Sequence, residues 1–373
     1  MNYSADDIVI VHCDIFTCFG AGIVPAWEAL KQNRHGFVPL ARRIDTESLS
    51  SCYGALAPEL DKVNSPSDYL LDYAARSAAK FSSDRTALWV GTTVGEIEYL
   101  HNPERRCTSD SLLEKAAEKF NIADARCLSA ACASSNMSLC RAGAALRAHK
   151  CDCAVVYAVD FVSEFTASGF LTLKAMTTGN CARPYDKQRS GILLGDGAGV
   201  VVMTRAETAR KMGYEVLAKV SAWGMSCDAG HITSPQEDGN FLAEAGRKML
   251  ERARVSPEDV GAVIGHGTGT YHNDIMEIKA LKKLFSRPVP LFSTKGSTGH
   301  TLAAAGVMQT AAAVMMLKER VIPPQTSISD PEEGAQEMVS DRIRTLDKPR
   351  IIAMNAGFGG LNAALLYEGA ALS

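Results

Sequence analysis

The chain has 373 residues, 46% apolar and 22% charged, enough to bury one large core or two of ordinary size. Its 39 basic and 42 acidic residues leave a formal net charge of −3, so electrostatics gives no reason to expect a nucleic-acid partner. No apolar run reaches the ~18 residues of a membrane span, and the acidic start Met1-Asn2-Tyr3-Ser4-Ala5-Asp6-Asp7 lacks the basic and apolar segments of a signal peptide, so a cytoplasmic protein without membrane insertion is expected.

Strand-like runs are predicted at 8–11, 87–90, 153–159, 200–203, 216–220, 262–264, 289–293, 351–354 and 363–367. Helical patterns fall between them at 68–81, 134–149, 241–253 and 303–317. This alternation predicts an α/β chain with mostly parallel, buried sheets. A charged connection at 205–213 divides it, and on each side a strand runs into a small-residue turn and an Ala-rich helix. The weak repeat suggests a duplicated architecture, with halves at 1–208 and 209–373 and chemistry where they meet. The 11 cysteines follow no framework spacing, and Cys151 and Cys153 are too close for a CxxC site, so no metal is assigned.

Four segments carry groups capable of chemistry. In Ala130-Ala131-Cys132-Ala133-Ser134-Ser135 a cysteine sits among small residues at a helix start, where the helix N-terminus favours thiolate. Taken alone, a buried structural cysteine fits equally well. Gly265-His266-Gly267-Thr268-Gly269-Thr270 follows an apolar strand, which puts His266 at a strand's C-terminal end, and Asn273, Asp274 and Glu277 add polar groups. It lacks the ending of a P-loop. Ser293-Thr294-Lys295-Gly296-Ser297-Thr298-Gly299-His300 lies in a second such turn, and Asn355-Ala356-Gly357-Phe358-Gly359-Gly360 offers a glycine-rich loop with one aromatic gate or a backbone oxyanion donor. Each alone also reads as an ordinary turn.

In this order the four segments resemble the elongating β-ketoacyl-acyl-carrier-protein synthases, the ketosynthases of fatty acid and polyketide assembly within the thiolase superfamily. Arg183-Pro184-Tyr185-Asp186-Lys187, Gly195-Asp196-Gly197-Ala198-Gly199 and Ser226-Cys227-Asp228-Ala229-Gly230-His231 extend the resemblance over nearly the whole chain. It implies a thiolase-like, duplicated five-layered αβαβα sandwich, and a homodimer or a heterodimer with a related ketosynthase or chain-length factor. It implies an acyltransferase that condenses malonyl carrier protein, with decarboxylation, onto an acyl thioester of Cys132. No bound cofactor is implied, since substrates travel on the phosphopantetheine of an acyl carrier protein.

By the same resemblance His266 and His300 would stabilise the enolate, and Lys295 would order the His300 side electrostatically. The N–H groups of Cys132 and Phe358 would form the oxyanion hole. Thr268 and Thr270 would bind pantetheine, Val94 and Phe358 would line the acyl pocket, and Asp228, His231 and Gln309 would support the site from behind. Departures from the pattern include Gln309 for a glutamate that partners the lysine, Ala303 for a glycine, Leu361 for a threonine, and a nearly neutral segment at 61–72 where a basic cluster is usual. Together they suggest a specialised fatty acid, polyketide or aryl-polyene pathway. Lys187 and Arg189 are then the expected docking charges for the carrier. The alternatives are a chain-length-factor partner, which usually lacks the cysteine, and a thiolase, which needs a late Cys-x-Gly although the last cysteine here is Cys227. A cysteine hydrolase would require an acid orienting one histidine, and no motif supplies one.

Overall fold

Runs such as Ile8-Val9-Ile10-Val11 have no polar face, so both sides of their strand must be covered. The computed structural model, which describes residues 3–81 and 83–369, covers them with helices on both sides. In β1 (Ile8–Thr17), Ile8 and Ile10 enter one apolar cluster while Val9 and Val11 enter another on the opposite face.

The first half adds β2 (Thr86–Gly91), β3 (Asp124–Leu128), β4 (Cys153–Asp160) and β5 (Gly197–Arg205). The second consists of β6 (Ala218–Cys227), β7 (Ala262–Ile264), β8 (Leu291–Phe292), β9 (Arg350–Gly357) and β10 (Leu361–Glu368). Across the sheet the first half runs β3-β2-β4-β5-β1 and the second β8-β7-β9-β10-β6, the same pattern twice. The copies join where β1 pairs with β6 at Val9↔Lys219 and Ile10↔Ala218.

The sheets are mixed, which corrects the expectation of mostly parallel strands. In each copy the outer three strands are parallel and the other pairings antiparallel. Strands β9 and β10 are joined by only the turn after Gly357, too short for the crossover a parallel pair needs.

Helices α1 (Pro66–Ala78) and α2 (Ser109–Phe120) cover the outside of the first copy. Helix α3 (Ser134–Arg147) lies between the copies, and α4 (Asn240–Ala253) and α5 (Tyr271–Leu284) cover the outside of the second. Helix α6 (Ala305–Glu319) packs beside α3 in the central layer, giving five layers of thiolase type. Every residue of α6 from Ala305 to Leu317 is buried, which explains a helix apolar on all sides. The two central helices approach closely at Gly306, where a Cβ would lie 2.0 Å from Asn136 Oδ1.

Side chains cap α1 (Ser65) and α2 (Thr108), whereas α3, α4, α5 and α6 begin with no side-chain cap. Among the described residues, no helix is long and apolar enough to cross a membrane.

Candidate active site

The turn from β3 into α3 places Cys132 between the two copies. Ala131 adopts φ +48°, a left-handed conformation rare for a residue with a side chain. Ser134 holds it, accepting from the Ala130 N–H at 2.9 Å and donating to the Ala131 carbonyl at 2.6 Å. The loop after β9 runs against this turn, and a Cβ on Gly357 would meet the Ala130 carbonyl at 2.9 Å. The backbone N–H groups of Cys132 and Phe358 lie beside the Cys132 sulfur, where both favour its ionised form.

His266 follows β7, and His300 follows the single helical turn after β8. Ligand-type atoms of Cys132, His266 and His300 all lie within 4.8 Å of one another, and all three residues are buried. The imidazole rings meet edge to face at 5.4 Å and 82°. The outer nitrogens of both rings face donors. His300 Nδ1 accepts from the Leu302 N–H at 3.1 Å, and His266 Nδ1 lies 3.2 Å from Lys295 Nζ, which also donates to the His266 carbonyl. Each neutral ring therefore carries its proton on Nε2. Burial, reinforced by the Lys295 charge, holds both imidazoles well below the usual histidine range, so they are neutral.

Cys132, His266 and His300 match a soft cation by ligand type and spacing. Metal-bound histidines, however, donate their outer N–H to an acceptor. Here both outer nitrogens accept, so the donor set does not fit a resident metal.

Burial pushes the Cys132 thiol up to about 12, against the Lys295 charge and the two backbone N–H groups. The resting sulfur therefore keeps its proton, and the thiolate expected from the helix N-terminus alone does not form at rest. Lys295 is itself buried, and desolvation lowers its pKa. Deprotonation would remove the cation from His266 Nδ1. We expect any reaction at this site that relies on that cation to slow as pH rises toward, but still below, the ordinary lysine value of about 10.4. A pH profile of the wild type against Lys295→Met checks this: the variant should be slower and lack that limb.

Glu277 seats His266 from beneath, accepting from the N–H groups of His266 (2.6 Å) and Gly267 (2.8 Å) and from the Tyr185 hydroxyl (2.7 Å). Asp274 likewise accepts from the N–H groups of Tyr185, Thr268 and Gly269. Every partner of Glu277 is a donor, so Glu277→Gln turns one acceptor against them. Urea unfolding should show a loss of about 1–3 kcal/mol.

A cavity of about 400 Å³ opens above Cys132, His266 and His300. Thr268 and Thr270 line it and bond each other through their hydroxyls at 2.9 Å. Phe358 lines it too, its ring 5.7 Å from Phe170, a residue the sequence did not single out. Asp228 ties the Phe358 loop down: it accepts from Asn362 Nδ2 at 2.6 Å, and its N–H donates to the Gly360 carbonyl at 2.8 Å. His231 is exposed and accepts from the N–H groups of Thr233 and Ser234, whose loop forms part of the cavity wall.

Three expected placements differ, and Lys295 reaches further than expected. Lys295 bonds His266 at Nδ1 and at its carbonyl, and its charge also depresses the His300 imidazole pKa, so it acts on both rings. Gln309 makes no bond to the lysine; its amide donates to the Gly265 and Met354 carbonyls, and its oxygen accepts from Asn136, joining the ends of β7 and β9 to α3. Val94 does not line the cavity but packs in the cluster between β2 and the outer helices. Arg189 has a side chain only 1% exposed, ion-paired to Glu332, so it offers no docking charge.

Against known families, the model described as "Beta-ketoacyl synthase, N-terminal domain" matches residues 123–209, and "Beta-ketoacyl synthase, C-terminal domain" matches 217–329. The chain belongs to the β-ketoacyl synthase family. It is 39% identical over 211 residues to 3-oxoacyl-[acyl-carrier-protein] synthase 2 of Vibrio harveyi, covering 54% of this chain and 51% of that protein. A 3-oxoacyl-[acyl-carrier-protein] synthase homolog of Saccharomyces cerevisiae is 32% identical over 265 residues, 67% of this chain and 60% of the yeast protein. The matched stretch thus spans about half the length of the bacterial relative. Among solved structures, the ishigamide ketosynthase/chain length factor superposes with a TM-score of 0.89 at 24% identity over 99% of this chain and 100% of that one. A β-ketoacyl synthase from Burkholderia phymatum gives 0.87 at 22%, over 98% and 100%. These likenesses show the fold.

Proposed function

We propose that this member of the family is a β-ketoacyl-acyl-carrier-protein synthase in a fatty acid, polyketide or aryl-polyene pathway. The observation that carries the proposal is the cluster of one thiol and two inward-facing Nε2–H donors beside a pair of backbone N–H groups. In the first step the Cys132 sulfur attacks a pantetheine thioester. The acyl carbon–sulfur bond to the carrier breaks as the bond to Sγ forms, and the thiol proton passes to the departing pantetheine sulfur. The Cys132 and Phe358 N–H groups take the oxyanion.

In the second step malonyl carrier protein loses carbon dioxide, and the electron pair moves into a thioester enolate. His266 and His300 donate to its oxygen. The enolate carbon then attacks the Cys132 thioester, releasing a β-ketoacyl carrier longer by two carbons and a thiolate that regains a proton. None of these steps calls for a bound cofactor.

An acyl carrier protein and a second subunit, identical or related, are the proposed partners, in the cytoplasm. The halves of the catalytic fold are 1–208 and 209–373. A chain-length-factor role is disfavoured because all three reacting side chains converge. Incubation with acyl-pantetheine followed by intact-mass analysis and peptide mapping tests the first step: an acyl adduct on Cys132 supports it, and hydrolysis without an adduct counts against it.

A further inference from the structure

Asp160 ends β4 and is 2% exposed, yet no cation pairs with it among the described residues. Such a carboxylate is costly to bury and must be repaid by hydrogen bonds. All its partners are donors: Thr92 Oγ1 at 2.9 Å, Thr93 N–H at 3.1 Å, Thr93 Oγ1 at 2.8 Å and the Ala303 N–H at 2.8 Å. Burial pushes its carboxyl up to about 6, against those bonds, so it is ionised at neutral pH.

The Ala303 bond crosses from one copy of the fold to the other. Ala303 is gripped at both ends, since its carbonyl accepts from Ser135 Oγ at 2.5 Å, and that same oxygen accepts the Gly306 N–H at 2.8 Å. Just before this clamp, Leu302 sits at φ +47°, which a leucine adopts only when its surroundings impose it. In that conformation the Leu302 N–H reaches His300 Nδ1.

We propose that Asp160, with Ser135, is a positioning residue for His300, clamping the turn whose Leu302 N–H fixes the ring in its Nε2–H form. Both clamping side chains belong to the half that carries Cys132, and Ser135 lies three residues past it in the first turn of α3. The partner ring of the active site is thus aimed from the nucleophile's own half. An amide at position 160 turns an NH₂ against the Ala303 or Thr93 N–H. The turn then relaxes, Nδ1 loses its donor, and the His300 proton is shared between the two nitrogens. A ring protonated on Nδ1 presents a lone pair where the enolate oxygen needs a donor.

The inference rests on the condensing-enzyme reading for its kinetic consequence but not for its structural one. The test compares wild type with Asp160→Asn in three measurements: malonyl-thioester decarboxylation, acyl loading of Cys132 by intact mass, and the His300 tautomer by ¹⁵N NMR of histidine-labelled protein, assigned with His300→Ala. Decarboxylation should drop, by at most the loss of about 10²–10³-fold in kcat that removing one such donor costs, loading should stay essentially unchanged, and the His300 signals should move from Nε2–H toward a mixture. If Asp160→Asn does not fold, Ser135→Ala removes the other side of the clamp and should give the same pattern. An unchanged tautomer, or an equal fall in loading and decarboxylation, overturns the proposal. Should the wild type fail to decarboxylate at all, the functional reading falls, and the tautomer alone decides the positioning role.

Discussion

Replacing Cys132 with serine should abolish acyl-enzyme formation, lowering the loading rate by a factor of about 10³ or more. An alcohol in that buried turn is held even more firmly in its protonated form than the thiol, which burial already pushes up to about 12. The effect should be confined to chemistry. The turn is fixed by Ser134 and Ala131 and not by the sulfur, so unfolding in urea should shift by less than about 1 kcal/mol. Intact-mass kinetics with an acyl-pantetheine reads the first quantity and a denaturation curve the second. Loading that survives in Cys132→Ser would remove Cys132 from the mechanism.

The second large effect is expected at His300. His300→Ala deletes one of the two donors proposed for the enolate oxygen, and removal of such a donor costs about 10²–10³ in rate, or about 2.7–4 kcal/mol. Because the oxyanion hole proposed for acyl loading is built of backbone N–H groups instead, loading should change far less. The ratio of decarboxylation to loading therefore discriminates this arrangement from one in which His300 activates the thiol. A variant that loads poorly but decarboxylates normally would reverse the assigned roles.

What the sequence revealed about the site was mostly local. A small-residue turn between strand and helix marks Cys132, because the backbone there must bend sharply with Ala131 at positive φ. A strand end followed by alternating glycines marks His266, because Glu277 and Asp274 must collect its exposed N–H groups. The duplication was visible only faintly, yet strand order repeats fully; topology is preserved where side chains have diverged.

The misplacements have a common physical cause in long-range packing. Arg189 reads as a surface base until Glu332, far along the chain, neutralises it. Gln309 reads as a lysine partner until the β7 and β9 carbonyls claim its amide. Val94 is apolar and partly buried, but alternation alone does not say which of several apolar layers receives it. The helix N-terminus before Ser134 is legible, whereas the depth at which Cys132 is buried is a property of the whole fold. Asp160 gave no local signal at all, since its meaning lies in a bond to Ala303 across the two halves.

The proposed reaction forms a carbon–carbon bond on a thioester of Cys132. It is tested most directly by loading the protein with an acyl group, removing free acyl donor, and adding malonyl carrier protein while following both proteins by intact mass. The acyl mass should leave Cys132 and reappear on the carrier as a β-ketoacyl chain longer by two carbons, with one carbon dioxide released per transfer. Loss of the acyl group to water, or decarboxylation to acetyl carrier with the acyl group still on Cys132, would contradict it.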